Sequence, residues 1–192
     1  MDLATEDLLA VLPAPGEWRD EDYLWVTRNT RRLVELNAGK LEILPMPTQQ
    51  HQLIVAALFL ALHSHLGAKG VVLFAPLRLR IEEGRYREPD LVAMLSAADP
   101  RRGDAHWSGA DLVVEVLSPD DPSRDLVTKR AEYALARVPE YWVVDPRARS
   151  LAVLSLTGSA YRDHAVFLSG ARVKSPLLAD FEMPLDRLFE NI

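Results

Sequence analysis

Cysteine is missing altogether from this 192-residue chain. Disulfides, thiolate nucleophiles and cysteine zinc sites are therefore excluded. Long apolar runs are missing as well. The longest, Leu53 to Leu62, stops well short of the ~18 residues that a membrane span needs, and His63 and His65 follow it. The N-terminus lacks a basic stretch leading into an apolar one; it begins Met1-Asp2-Leu3 and reads as a short amphipathic helix. These absences predict a cytoplasmic protein with no membrane partner. An excess of positive charge is absent too: the formal net charge is −6. That speaks against a simple nucleic-acid binder, whose footprint is usually basic. It leaves room for an enzyme that holds a cation in a carboxylate cluster, because the ion offsets local negative charge.

What is present is ordinary globular material, 48% hydrophobic and 26% charged, enough to bury one core. Repeats, low-complexity stretches and linkers are not seen, so residues 1–192 are expected to form a single domain. Leu12 to Trp18 is broken by Pro and Gly, and Asp20 to Arg28 reads as a second helix. Arg32 to Leu36 and Leu41 to Leu44 read as strands joined by Asn37-Ala38-Gly39-Lys40, a hairpin turn. Thr48 is a plausible N-cap for a helix running to about Leu66. Strands follow at Val71 to Ala75 and Leu77 to Ile81, broken at Pro76, and at Arg87 to Leu95, reached through Pro89. Ser96 to Ala110 is a polar loop. Leu112 to Leu117 is the strongest strand, Ser123 to Ala136 shows helical spacing, and Tyr141 to Val144 is a buried strand. Leu151 to Leu156 and Tyr161 to Leu168 form a terminal hairpin around Thr157-Gly158. This order predicts an α/β (α+β) domain with a mixed central sheet.

Five residues carry candidate chemistry. Glu115 is a carboxylate inside the apolar run Leu112 to Leu117. Burial of that charge requires a partner: an arginine, an outward-facing edge position, or a metal. Asp90 stands at the head of a β-branched run just after Pro89, either as a turn aspartate or as a group placed at the sheet's end. Two carboxylates from neighbouring strands suit Mg2+, which takes one or two of them plus waters and phosphate oxygens. Lys129 lies on the helix after the Glu115 strand. It reads either as a surface i,i+4 partner of Asp125 or as a point charge for the attacking water. Glu35 is another carboxylate in an apolar strand. His51 lies in the first turn of the long helix, where the positive end of the dipole disfavours a protonated ring. A neutral His51 could accept a proton or meet a metal.

Taken together, several stretches resemble a known family. They are Val34 to Lys40, Met46-Pro47 with His51-Gln52, Glu88-Pro89-Asp90-Leu91, Asp111 to Pro119, Asp125 to Tyr133 and Val138 to Pro146. In this order and spacing the chain is similar to the restriction endonucleases of the Uma-two type, in the PD-(D/E)XK nuclease superfamily. The resemblance implies a restriction-endonuclease-like core, a mixed central β-sheet flanked by α-helices with an extra N-terminal β-hairpin and helix. It implies that Asp90 and Glu115 hold Mg2+ or Mn2+, with Glu35 and His51 lining the metal side of the cleft. The superfamily's usual lysine stands two residues after the glutamate, where this chain has Leu117; the resemblance moves that role to Lys129.

The expected function is hydrolysis of phosphodiester bonds in DNA, by a homodimer. Arg78, Arg80, Arg85 and Arg87 form one basic strip that could meet phosphates or pair with Glu82 and Glu83. Arg101, Arg102, His106 and Trp107, in the loop from Asp99, are further candidate contacts. The alternatives are a catalytically silent nuclease fold used in protein assembly, and a hydrolase acting on RNA.

Overall fold

The computed structural model describes residues 12–118, 121–190 and 192. The amphipathic helix expected at Met1-Asp2-Leu3 falls outside them. Two sheets dominate. A six-stranded mixed sheet runs in the order β10-β9-β8-β7-β6-β3. It contains β3 (Val71–Phe74), β6 (Leu91–Met94), β7 (Leu112–Val116), β8 (Glu140–Asp145), β9 (Ser150–Thr157) and β10 (Ala160–Phe167). Only β7 and β8 pair in parallel. A smaller antiparallel sheet joins β1 (Val34–Asn37), β2 (Lys40–Ile43), β4 (Leu79–Glu82) and β5 (Arg85–Arg87), in the order β2-β1-β5-β4. The first helix among the described residues, α1 (Asp20–Asn29), closes its own small core of Tyr23, Val34, Leu36 and Tyr86.

Local chemistry accounts for the elements. The turn between β1 and β2 needs left-handed backbone at Ala38 and Gly39 (φ 48° and 72°). A Cβ on Gly39 would lie 2.4 Å from the Gly16 carbonyl oxygen, so only glycine fits against that neighbouring loop. The long helix α2 (Gln49–Leu66) starts where the Thr48 side chain accepts the His51 N–H at 3.2 Å. Its i,i+4 stripe of Ile54, Leu58 and Leu62 is buried on one face of the large sheet. Each such side chain contributes about 1.5–3 kcal/mol on leaving water. The other face is covered by a π-helical turn (Arg124–Lys129) that runs into α3 (Arg130–Leu135), and by Trp107, Tyr133, Tyr141 and Tyr161.

One expectation is corrected. The strand read as Arg87 to Leu95 is two strands in different sheets. Pro89 has no N–H for a ladder and restricts Glu88, so the chain leaves the small sheet after Arg87 and joins the large one at Leu91. The expected N-terminal hairpin is present, and it extends into the small sheet where β1 pairs with β5. Beyond Leu168 lie elements without an earlier reading: β11 (Arg172–Lys174), β12 (Glu182–Pro184) and a 3-10 helix (Leu185–Phe189) that packs Leu185, Leu188 and Phe189 into the α2 core. Among the described residues no helix is long and apolar enough to cross a membrane.

Candidate active site

The junction of the two sheets gathers the charged residues. β6 and β7 are antiparallel with Leu91 opposite Val114 and Val92 opposite Val113. One rung further, Asp90 stands opposite Glu115, on the face of Val92 and Val113. The Val116 N–H donates to Asp90 Oδ2 at 2.8 Å, which ties Asp90 to β7. From the first turn of α2, His51 Nε2 lies 3.0 Å from the same oxygen, and both side chains stay partly open (22% and 17%).

Asp125, Lys129 and Tyr133 follow at intervals of four, which puts all three on one helix face. Lys129 Nζ donates to Glu115 Oε1 at 2.8 Å and stands 3.1 Å from Asp125 Oδ1 and 3.9 Å from Glu35 Oε1. The Tyr133 hydroxyl donates to the same Glu115 oxygen at 2.5 Å. Asp125, Lys129 and Glu115 are all buried. The i,i+4 pair read from the sequence therefore exists, but inside the protein, and the partner of Glu115 is a lysine rather than an arginine.

A second set of charges adjoins the first. Arg87 is buried and grips Glu132 with two bonds of 2.6 and 2.7 Å, and donates to Glu35 at 2.9 Å and Glu42 at 3.2 Å. Arg124 also binds Glu35 and Glu42. The Glu88 N–H donates to Glu35 Oε1 at 3.0 Å.

The electrostatics of the two sets differ. Burial opposes ionisation of Glu35, but Lys129, Arg87 and Arg124 outweigh it and hold its carboxyl down at about 2. Burial pushes Glu115 up well above the carboxylate range. Lys129 offsets part of that, and the charges of Asp125 and Asp90 add to it. Asp125 is raised for the same reasons, with Asp90 and Glu35 adding to burial. Lys129 keeps its proton: burial favours losing it, and four surrounding carboxylates more than reverse that. One ammonium among Asp90, Glu115 and Asp125 leaves the group short of positive charge. His51 differs from the reading of its helix position. Burial favours the neutral ring, yet the hydrogen bond and charge of Asp90 prevail and raise its pKa.

These groups fit a hard divalent cation. Among the described residues no three acidic or imidazole side chains converge on one cation position. Two neighbouring carboxylates that share few cations are nevertheless the kind of donor Mg2+ takes when water and substrate complete its shell. Asp125 Oδ1 shows the shortage most plainly. It is buried, and its ion-pair partner, Lys129 at 3.1 Å, is shared with Glu115. His51 Nε2 is committed to Asp90 and could join a cation's ligands only by exchanging that bond.

The structure separates the arginines from this centre. Arg87 is corrected from a phosphate contact to a buried ion-pair partner, 1% exposed, because carboxylates of three elements enclose it. Arg78 turns inward to the carbonyls of Thr27 and Ala105. Arg80 pairs with Asp20, and Arg85 with Glu82 and Glu132. Arg101 binds both Asp99 and Asp111, while Arg102 lies over the Trp107 ring. Trp107 is buried and its backbone is bonded to Arg78 and Arg80, so that end of the loop is fastened beside β4. Tyr133, Arg124 and Glu132 went unread. Tyr133 had a readable signal, its spacing of four from Lys129; the other two are recognisable only once distant strands are brought together.

The fold agrees with what the chain resembles among known proteins. Residues 20–186 match the Uma2 family, described as "Putative restriction endonuclease". The chain belongs to that family. No curated protein matches it. A solved structure with a similar fold is that of a "putative nuclease belonging to DUF820" from Anabaena variabilis. It is 18% identical, covers 98% of each chain and has a TM-score of 0.68.

Proposed function

We propose that this protein is a metal-dependent endonuclease that hydrolyses phosphodiester bonds in DNA. The observation that carries the proposal is the facing pair Asp90 and Glu115, with the Lys129 ammonium on Glu115 and too little positive charge around them. Asp90 and Glu115 would hold Mg2+ or Mn2+, which when bound acidifies a water and stabilises charge at phosphorus. Lys129 holds its proton throughout and presents a fixed charge for orienting the attacking water. Glu35, kept ionised by Lys129, Arg87 and Arg124, fixes the ammonium from behind. His51 orients Asp90 through its Oδ2. Family membership supports a nuclease, and DNA is the substrate that the family's description favours. A cytoplasmic homodimer belongs to the same reading: β10 is a sheet edge with Val166 and Leu168 exposed beside it, which a second copy can cover.

The test is nicking of supercoiled plasmid with Mg2+ by the parent and by Asp90→Asn, with an RNA strand of matched sequence alongside. The expected outcome is Mg2+-dependent nicking of DNA by the parent and a loss of at least about 100-fold in the variant. That estimate is bounded by the 10–100-fold that removing even an outer partner of a metal ligand costs. Equal cleavage by both proteins removes Asp90 from the mechanism, and cleavage of RNA alone replaces the substrate.

A further inference from the structure

We propose that Tyr133 is a positioning residue for Glu115, fixing one carboxylate oxygen so that the other faces the cation. The proposal rests on the reading of Glu115 as a metal ligand and goes beyond it by assigning roles to the two oxygens. Oε1 receives two donors, Lys129 Nζ at 2.8 Å and the Tyr133 hydroxyl at 2.5 Å. A carboxylate oxygen has two lone pairs, so Oε1 has no capacity left. Among the described residues no donor reaches Oε2. The oxygen open to a cation is therefore Oε2, and rotation of the carboxylate would break both bonds on Oε1.

The surroundings single out Tyr133. It belongs to a buried aromatic row in which its ring meets Tyr141 edge-on at 5.2 Å and Tyr141 meets Tyr161 at 5.7 Å. Tyr141 and Tyr161 give their protons to the backbone carbonyls of Asp125 and Val138. Those bonds serve the fold. Tyr133 alone in the row donates to a carboxylate, and that carboxylate belongs to the site. The ring is fixed by its neighbours, so the hydroxyl cannot follow Glu115 if the carboxylate turns. Lys129 supplies charge to Oε1; Tyr133 supplies a neutral donor with a fixed direction.

The experiment is calorimetric titration of the full chain with Mn2+ alone, for the parent, Tyr133→Phe and Tyr161→Phe. Tyr133→Phe is expected to bind Mn2+ about 10-fold or more weakly, the usual cost of losing an outer partner of a metal ligand. Tyr161→Phe removes a hydroxyl from the same row and is expected to bind as the parent does. Parent-like affinity in Tyr133→Phe, or equal weakening in both variants, overturns the positioning role. A parent that takes up no Mn2+ overturns the metal reading of Glu115 and the positioning role together. Should Tyr133→Phe fail to fold, the unmodified sequence labelled with 3-fluorotyrosine keeps the question open to measurement. Mg2+ must then shift the fluorine resonance that survives separate changes of the other four tyrosines to Phe, and an unmoved resonance overturns the proposal.

Discussion

The two charged clusters at the sheet junction share a wall and behave oppositely. In the first, Glu35, Glu42 and Glu132 face two guanidinium groups, Arg87 and Arg124, and Glu35 is held at about 2. In the second, Asp90, Glu115 and Asp125 share one ammonium, and both Glu115 and Asp125 are raised. Glu35 and Glu115 are both buried, so burial alone does not set the difference. The supply of positive charge does. A network that stabilises a fold satisfies its carboxylates from within; a site that takes up a cation leaves that charge to be supplied from outside.

The contrast can be broken most forcefully on the satisfied side. Arg87→Leu strands Glu35 and Glu132 in the interior and is expected to cost about 3–5 kcal/mol in a denaturant titration. A change below ~1 kcal/mol would show that those carboxylates are compensated elsewhere. On the deficient side, Asp90→Asn is expected to lower cleavage at least 100-fold, about 2.7 kcal/mol in the barrier, with little change in unfolding free energy. A parallel loss of stability would mean that Asp90 serves the fold. A smaller effect has the opposite sign: Asp125→Asn relieves like-charge crowding. It is expected to stabilise the metal-free protein at neutral pH, because burial and the neighbouring Asp90 and Glu35 charges oppose ionisation of that carboxyl. Mg2+ should remove that gain, and destabilisation without metal would contradict the charge shortage.

The subtlest signal is the shape of stability against pH. Glu35 has a depressed pKa, so its contribution is present above the ordinary glutamate value and is lost as pH falls from there to about 2. Glu88 behaves in reverse. Burial, with the Glu35 charge adding to it, pushes its carboxyl up to about 8 against the pull of Arg78. The folded state therefore gains stability as pH falls from above 8 toward the ordinary value and gains nothing further below it. Metal-free stability is expected to peak in mildly acidic solution, and Glu88→Gln should reduce the alkaline limb, leaving the share of Glu115 and Asp125, and spare the acid limb. A profile whose two limbs respond together would merge the clusters into one.

Local signals made much of the fold legible. Thr48 capping α2, the Asn37-to-Lys40 turn and the apolar run of β7 each lie within one stretch of chain, and each was readable there. The centre was legible in part: Glu35, His51, Asp90, Glu115 and Lys129 do meet, or stand within one residue's reach of each other. What a linear reading missed depends on distant pairing. Arg87 looks like a surface arginine until β1, β2 and α3 bring three glutamates around it. The strand break at Pro89 was visible as a proline, but the exchange of sheets depends on β1 occupying the edge of β5. The π-helical start of the helix at Arg124 has no signature in apolar spacing.

That exchange of sheets has a mechanical consequence. Arg87 anchors the small sheet and Asp90 caps the large one, and three peptide units, at most about 10 Å of chain, connect them. So short a tether carries almost no slack. Any sliding of one sheet against the other must register at the Asp90 carboxylate, which makes the catalytic candidate a gauge of how the two halves of the molecule are seated.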